Sequence, residues 1–150
     1  MTHGKVLIII SKYYKDISEN LLKSAEKFLK NKSIIYDIIE VPGALEIPQA
    51  LNFNGNLSKN KIFDYRGFVA LGCVIKGQTP HFDLICSSTF NSILNLSTTF
   101  NKPIGNGIIT ANNLIQARQR CKNTNKKKPN KGSEAANAVM SILENGYKKI

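Results

Sequence analysis

Hydrophobic residues follow two alternating patterns along this chain, and each pattern predicts a different element. Residues 6–10 form an unbroken run of branched apolar side chains, which is typical of a parallel strand covered on both faces. From Ile17 to Leu29, apolar residues recur every three or four positions, with lysine and glutamate between them. That spacing predicts an amphipathic helix after the first strand.

The remaining segments repeat this alternation. Strand patterns are found in three further places, residues 33–41, 68–75 and 104–110. Helical patterns are found in four, residues 45–51, 82–100, 112–121 and 133–147. The Asn- and Gly-rich residues 52–61 and the polar residues 122–132 are predicted to be loops. No repeat or linker interrupts the pattern, and we expect a single domain over residues 1–150.

Strands and helices in this order predict an α/β fold, because each pair of parallel strands needs a crossover connection. We expect a three-layer αβα sandwich built on a four-stranded parallel sheet. Parallel sheets of this kind bind ligands beyond the carboxyl ends of their strands. The candidate site loops are those that follow the four predicted strands, residues 11–14, 41–46, 75–81 and 110–113.

Length and composition are those of an ordinary globular domain. The chain has 150 residues, of which 42% are hydrophobic and 21% charged, so it can bury one core. Its longest apolar runs are too short to cross a bilayer. The N-terminal residues turn polar after Ile10, unlike a secretory signal. We therefore expect a soluble cytoplasmic protein with no membrane partner.

A strong positive charge raises the alternative of nucleic-acid binding. The formal net charge is +11, and four lysines cluster within residues 126–131. Lysine dominates over arginine, however, and no aromatic residues are interleaved with the basic cluster. We interpret the charge as a solvated surface that attracts anionic substrates, and we predict no nucleic-acid partner.

The cysteines favour neither a disulfide framework nor a metal site. There are three, Cys73, Cys86 and Cys121, and none has C-x-x-C spacing. Cys73, His81 and Cys86 could in principle share a metal, but a predicted strand and helix separate them. We expect reduced thiols with packing roles and no bound metal.

The stretch GCVIKGQTPHFD, residues 72–83, is a candidate anion site. Pro80 after the hydroxyl residue Thr79 is a helix-start pattern, with Thr79 as the cap. Gly77 lets the backbone approach a ligand. The amides of Gln78 and Thr79, backed by the helix dipole, suit an oxyanion such as phosphate. A plain turn capped by threonine accounts for this loop equally well.

His81 lies in the first turn of this predicted helix, beside the candidate anion site. Imidazole takes up and releases a proton near neutral pH, so His81 is a candidate proton carrier. A histidine at a helix start is also a common structural residue, and Asp83 fits a carboxylate that complements the helix dipole. Cys86 lies more than a turn further along with no activating neighbour, which argues against a Cys–His nucleophile.

Three blocks of sequence stand near the ends of predicted strands. They are VPGALEIPQAL at residues 41–51, ALGCVIKGQTPHFDLIC at 70–86, and NGIITANNLIQARQR at 106–120 followed by NKGSEAANAV at 130–139. With these blocks in order, the chain resembles the lumazine synthase family over essentially its whole length. The resemblance implies a flavodoxin-like fold and the penultimate step of riboflavin biosynthesis. In that step 5-amino-6-(D-ribitylamino)uracil condenses with 3,4-dihydroxy-2-butanone 4-phosphate, without metal or organic cofactor, and phosphate and water are released.

The resemblance also assigns roles position by position. It implies catalytic roles for His81 and Lys131. Three residues would bind phosphate, namely Gln78, Thr79 and Arg120. Seven would contact the pyrimidine substrate, namely Tyr13, Ala44, Leu45, Glu46, Val74, Ile75 and Asn106.

Two of these substrate contacts have a stated chemistry. Tyr13 would stack on the ring, and Glu46 would accept hydrogen bonds from ribityl hydroxyls. Residue type alone leaves other interpretations open: an aromatic that covers core at Tyr13, a helix-start carboxylate at Glu46, and solvated basic side chains at Arg120 and Lys131.

The resemblance bears on assembly as well. Family members form pentamers, some of which join into icosahedral shells, and residues 104–107 of a neighbouring subunit would complete each active site. Asn106 stands where many members have phenylalanine, and Lys76 where many have arginine. The long segment after Arg120 and the short N-terminus predict a homopentamer or a decamer of two pentamers, without shell closure. Riboflavin synthase, which consumes the product, is a candidate partner.

Two other classes of function remain open from the sequence. One is a flavin or lumazine carrier that keeps the pocket without chemistry. The presence of His81, Arg120 and Lys131 argues against a carrier, which has no use for a proton carrier beside an anion site. The other is a basic scaffold for RNA, which would show strongly salt-dependent binding centred on residues 122–129.

Overall fold

Four strands and five helices make up the computed structural model, which describes residues 4–59, 64–123 and 129–146. The strands are β1 (Lys5–Ser11), β2 (Tyr36–Val41), β3 (Tyr65–Ile75) and β4 (Ile104–Ala111). The helices are α1 (Lys15–Asn31), α2 (Glu46–Lys59), α3 (His81–Phe100), α4 (Leu114–Arg120) and α5 (Lys131–Asn145).

The strands form one parallel sheet in the order β2-β1-β3-β4. In its register, Ile8 of β1 pairs with Ile38 on one side and with Val69 on the other, and Ala70 pairs with Asn106. The predicted α/β fold is confirmed as a three-layer, flavodoxin-like sandwich. Because all strands are parallel, the loops that follow them emerge at one edge of the sheet.

Strand β1 contributes to two hydrophobic cores at once. Val6, Ile8 and Ile10 face the layer of α1, α4 and α5. Leu7 and Ile9 face the layer of α2 and α3 on the opposite side. Neighbouring side chains of a strand point to opposite faces, so a strand covered on both faces is apolar at every position.

Two glycines allow α5 to approach its neighbours closely. A Cβ at Gly132 would lie 2.1 Å from the carbonyl oxygen of Leu21 on α1. A Cβ at Gly105 of β4 would lie 2.1 Å from the carbonyl oxygen of Ala135 on α5. The start of α5 is therefore pressed against both α1 and the edge strand.

The predicted loop at residues 52–61 is wrong as far as Lys59, because α2 continues through it; residues 60 and 61 lie outside the described chain. The side-chain amide of Asn54 donates to the backbone carbonyl of Ala50 at 2.8 Å. Gly55 makes room for the ring of Phe100, whose Cε2 would lie 2.4 Å from a Cβ there. Packing against α3 thus overrides the low helix propensity of asparagine and glycine.

The predicted cap of α3 is also wrong. Helix α3 begins at His81 with Pro80 as its N-cap, and no side chain caps it. The other helix and strand bounds lie within a few residues of those predicted, although Tyr147 and residues 124–128 fall outside the described residues. In the part of the chain that the structure describes, no helix is long and apolar enough to cross a membrane.

Candidate functional site

A cleft of about 320 Å³ opens at the carboxyl edge of the sheet. Its walls come from the ends of β1 and β3, the loop after β2, and the first turns of α2 and α3. This volume lies at the lower end of the range of small-molecule pockets. Seven residues predicted from the sequence line it, namely Tyr13, Ala44, Leu45, Glu46, Val74, Ile75 and His81.

Tyr13 stands at the mouth of the cleft. The residue is 76% exposed, so in this chain it does not cover the core. Its ring meets the ring of Tyr14 edge to face, with centroids 5.0 Å apart and an angle of 75° between the planes. The high exposure of Tyr13 leaves ring surface available to stack on a planar ligand.

Glu46 is brought to the cleft by the turn after β2. The Ser11 hydroxyl donates to the carbonyl of Pro42 at 3.3 Å, which ties this turn to the end of β1. The Glu46 amide then donates to the carbonyl of Gly43 at 3.2 Å as α2 begins. A carboxylate in the first turn of a helix is favoured by the dipole and can still accept hydrogen bonds from a ligand.

His81 is the first residue of α3 and is exposed on the cleft wall. In the loop before it, the N–H groups of Gln78 and Thr79 donate to no acceptor within the described residues. Around Gly77 there is open space, because no atom would lie within 4 Å of a Cβ there. The loop therefore offers unpaired donors beside a titratable imidazole.

The phosphate-binding residues predicted from the sequence lie near the cleft without lining it. Arg120 ends α4, and its guanidinium donates to the carbonyl of Thr110 at 3.0 Å. The amide of Lys76 donates to the carbonyl of Ala111 at 2.9 Å, so the loop of Gln78 and the end of β4 are adjacent. Gln78, Thr79 and Arg120 thus share the carboxyl edge, although none of them is on the cleft wall.

Lys131 and Asn106 are absent from the cleft wall as well. Lys131 is the first residue of α5, with its ammonium 3.5 Å from the carboxylate of Glu134. The Asn106 side chain accepts a hydrogen bond at 3.0 Å from the amide of Ile108 in the same strand. Asn106 lies on the edge strand β4, and the backbone of Lys131 lies beside it, since a Cβ at Gly107 would lie 3.1 Å from the carbonyl oxygen of Lys131.

Burial makes the thiols poor nucleophiles. It raises the pKa of Cys73 to about 12, with smaller contributions from Cys121 and Asp16. The pKa of Cys86 is also raised, first by burial and then by the negative charge of Asp83. Because the thiolate is the reactive form, a raised pKa makes a thiol less nucleophilic near neutral pH.

Five lining residues were missed by the sequence-based assignment, namely Ser11, Tyr14, Gly43, Cys73 and Ile85. Ser11, Tyr14 and Gly43 lie in strand-end loops that were already candidates. Ile85 follows His81 by one helical turn and shares its face, so helical spacing could have identified it. The pKa of Tyr14 is raised by burial, and then by Cys73 and Tyr13, as expected for a phenol partly enclosed by the cleft.

Comparison with known proteins relates this chain to one family. The family model described as 6,7-dimethyl-8-ribityllumazine synthase matches residues 3–145. A protein of that name from Bartonella tribocorum is 43% identical over 92% of this chain and 87% of its own length. One from Agrobacterium fabrum is 38% identical over 96% of this chain and 95% of its own length. One from Afipia carboxidovorans is 38% identical over 95% of this chain and 86% of its own length.

Proposed function

The chain belongs to the 6,7-dimethyl-8-ribityllumazine synthase family, and we propose that it carries out the family's reaction in the cleft at the carboxyl edge of its sheet. It is a transferase of riboflavin biosynthesis. It condenses 5-amino-6-(D-ribitylamino)uracil with 3,4-dihydroxy-2-butanone 4-phosphate and releases phosphate and water. The observation that carries the location of the site is the convergence of Tyr13, Glu46 and His81, from three strand-end loops, on one cleft.

The pyrimidine substrate occupies the part of the cleft that is lined by the first two strand-end loops and the end of β3. Tyr13 stacks on its ring, and Glu46 accepts hydrogen bonds from the ribityl hydroxyls. Ala44, Leu45, Val74 and Ile75 provide apolar contacts and backbone groups along the walls. The support is the exposure of the Tyr13 ring and the position of Glu46 at the start of α2.

The phosphate of the second substrate binds to the loop before α3. The unpaired amides of Gln78 and Thr79 donate to it, and the dipole of α3 adds a favourable field. Arg120, whose planar guanidinium suits a phosphate, supplies the charge. The open space at Gly77 leaves room for the phosphate to approach the backbone.

His81 moves the protons of the reaction. Forming the imine between the amine and the ketone, eliminating phosphate and closing the ring each require a proton to be taken up or released. An imidazole beside the phosphate loop can do both near neutral pH. Lys131 places a positive charge near the reacting centre, where negative charge develops.

The active site lies between adjacent subunits of a homopentamer or of a decamer, in a cytoplasmic protein whose 150 residues form one domain. The support is that Asn106 does not line the cleft of a single chain. Strand β4 pairs with no second neighbour among the described residues, and Asn106 lies on it. A neighbouring copy supplies residues 104–107, which include Asn106, and riboflavin synthase is the expected protein partner.

The mass in solution tests the assembly. We expect light scattering on the purified protein to return the mass of five or ten chains at micromolar concentration. A monomer would contradict a site shared between subunits. A shell-sized mass would contradict the limit to one or two pentamers.

Removing the Arg120 guanidinium tests the phosphate assignment. We expect Arg120→Ala to raise KM for the butanone phosphate roughly 10- to 100-fold, because hydrogen bonds to charged groups contribute about 1.5–3 kcal/mol. KM for the pyrimidine should change less than threefold. The matched control is Arg118→Ala on the same helix, which removes an exposed ion pair with Asp16 at 3.2 Å and should leave both KM values unchanged. Equal effects of Arg120→Ala on both substrates would contradict the assignment.

The activity itself is tested by mixing the protein with both substrates and following the lumazine by absorbance and green fluorescence. We expect acceleration over a protein-free control only with the phosphorylated donor. Tight lumazine or flavin binding without acceleration would instead identify a carrier that uses the same cleft. Binding of RNA that weakens steeply with salt, without turnover, would favour the scaffold.

A further inference from the structure

One buried amide side chain joins the ends of the two segments that carry Arg120 and Lys131. Asn130 is only 2% exposed and lies immediately before Lys131. Its Nδ2 donates to the carbonyl of Cys121, the residue after Arg120, at 2.7 Å. It also donates to the carbonyl of Asn20 on α1 at 3.4 Å. Its Oδ1 accepts from the amide of Gly132 at 2.8 Å and so caps α5.

These contacts require an amide at this position. An N-cap needs only an acceptor, which serine, threonine or aspartate supplies as well as asparagine. The hydrogen bond to Cys121 needs a donor on the same side chain, and among good capping residues only asparagine combines an amide donor with the acceptor. A buried polar side chain that is fully paired in this way fixes the groups it touches, because any displacement leaves one of them unpaired.

The bond to Cys121 matters because α4 is short. It has seven residues, Leu114–Arg120, and Arg120 is the last of them. Cys121 follows as the C-cap, and both its amide and its thiol donate to the carbonyl of Arg118 at 3.3 Å. A helix of two turns has little stability of its own, so the position of its end depends on tertiary contacts. The side-chain amide of Asn130 is one such contact, and it acts at the carbonyl of Cys121, the residue that follows Arg120.

The start of α5, next to Asn130, is held in place by its contact with α1. Gly132 allows α5 to press against the backbone of Leu21, next to Asn20. Because Asn130 also donates to Asn20, the start of α5, the end of α4 and the middle of α1 meet at one side chain. The backbone positions of Arg120 and Lys131 are then set relative to each other.

We propose that Asn130 is a positioning residue that holds Arg120 and Lys131 in the arrangement the phosphorylated substrate requires. This inference rests on the proposed function of those two residues. The alternative is that Asn130 acts only as the cap of α5. The two roles predict different effects of a substitution that keeps the cap. Binding of the phosphorylated substrate weakens if Asn130 positions Arg120 and Lys131, and it is unchanged if Asn130 only caps α5.

Substitutions that keep a capping oxygen and lose the Nδ2 contact separate these roles. Asn130→Asp retains the oxygen and, as a carboxylate, has no proton to donate to Cys121. Asn130→Ser has a single hydroxyl oxygen, one bond shorter, which can cap α5 but cannot occupy the Oδ1 and Nδ2 positions together. We expect both to raise KM for the butanone phosphate about tenfold, because small displacements of binding groups are costly, with KM for the pyrimidine within twofold. Asn113→Ser is the control for stability, since Asn113 caps α4 at 2.9 Å without donating elsewhere among the described residues. The thermal unfolding midpoint of each variant gives the cost of the cap exchange alone.

A double substitution checks that the effect acts through Arg120. In the Arg120→Ala background, Asn130→Ser should raise KM for the butanone phosphate less than twofold, because the group it positions is already absent. Inorganic phosphate gives a readout without turnover, and calorimetry should show about tenfold weaker binding to Asn130→Ser and Asn130→Asp. If either variant folds and binds phosphate or the butanone phosphate like the wild type, Asn130 is only a cap. A wild type that binds phosphate without forming lumazine would contradict the proposed function and leave the phosphate comparison intact.

Discussion

Replacing His81 with asparagine is expected to lower kcat about 100-fold while KM for each substrate changes only a few fold. General acid–base catalysis by a positioned side chain contributes typically about 10²–10⁴-fold, and the lower end applies where substrate positioning also contributes. Asparagine keeps a polar side chain of similar reach but carries no titratable proton. The backbone amide at the start of α3 is unchanged, so phosphate binding is retained.

The measurement is the steady-state rate of lumazine formation as a function of pH. The wild-type rate should depend on an ionisation that disappears from the profile of His81→Asn. Both proteins should show the same circular dichroism, because His81 is exposed. A kcat within threefold of the wild type would falsify the assignment of His81 as the proton carrier and leave the histidine a structural role.

A large loss of stability is expected from Gly132→Ala. The added methyl group would lie 2.1 Å from the carbonyl oxygen of Leu21 and 2.9 Å from its carbonyl carbon. These atoms belong to the backbone of α1, so no side-chain rotation can relieve the overlap. Overpacking of a core typically costs 1–3 kcal/mol, and a backbone collision places this substitution near the upper limit, at about 3 kcal/mol. The start of α5, with Lys131, must shift in response.

Urea unfolding followed by circular dichroism, at one fixed protein concentration, measures this cost. Gly77→Ala is the matched control, because a Cβ at Gly77 meets no atom within 4 Å and its φ is not positive. Its free energy of unfolding should stay equal to the wild-type value or rise slightly. A loss below 1 kcal/mol in Gly132→Ala would mean that α1 and α5 separate easily, and that Lys131 is less firmly placed than the contacts indicate.

The elements could be predicted well where local pattern and tertiary burial agree. Residues 6–10 were predicted as a strand covered on both faces, and each of their side chains enters one of two cores. The prediction failed after Leu51, where asparagine and glycine indicate a loop by propensity. Asn54 and Gly55 are instead buried in α2 against α3, and packing of that kind has no signature in the local sequence.

The residues of the candidate site could likewise be predicted only in part. Loop positions after parallel strands, together with the family's sequence blocks, made Tyr13, Glu46 and His81 candidates, and all three line one cleft. The same reasoning missed the lining residues Ser11 and Tyr14, although they stand in a candidate loop, because residue type does not reveal which side chains of a loop turn inward.

The amino-acid sequence was sufficient for the parallel α/β fold and the family, and it supplied a set of candidate site residues, since these depend on periodicity and on short contiguous motifs. It was not sufficient for the contacts between segments far apart in the chain. The pairing of Asn130 with Asn20 and Cys121, and the collision that excludes a side chain at Gly132, arise only when α1, α4 and α5 pack together. The spacing of residues along the chain indicates which face of a helix or strand each residue lies on. Tertiary packing determines which backbone atoms contact that face.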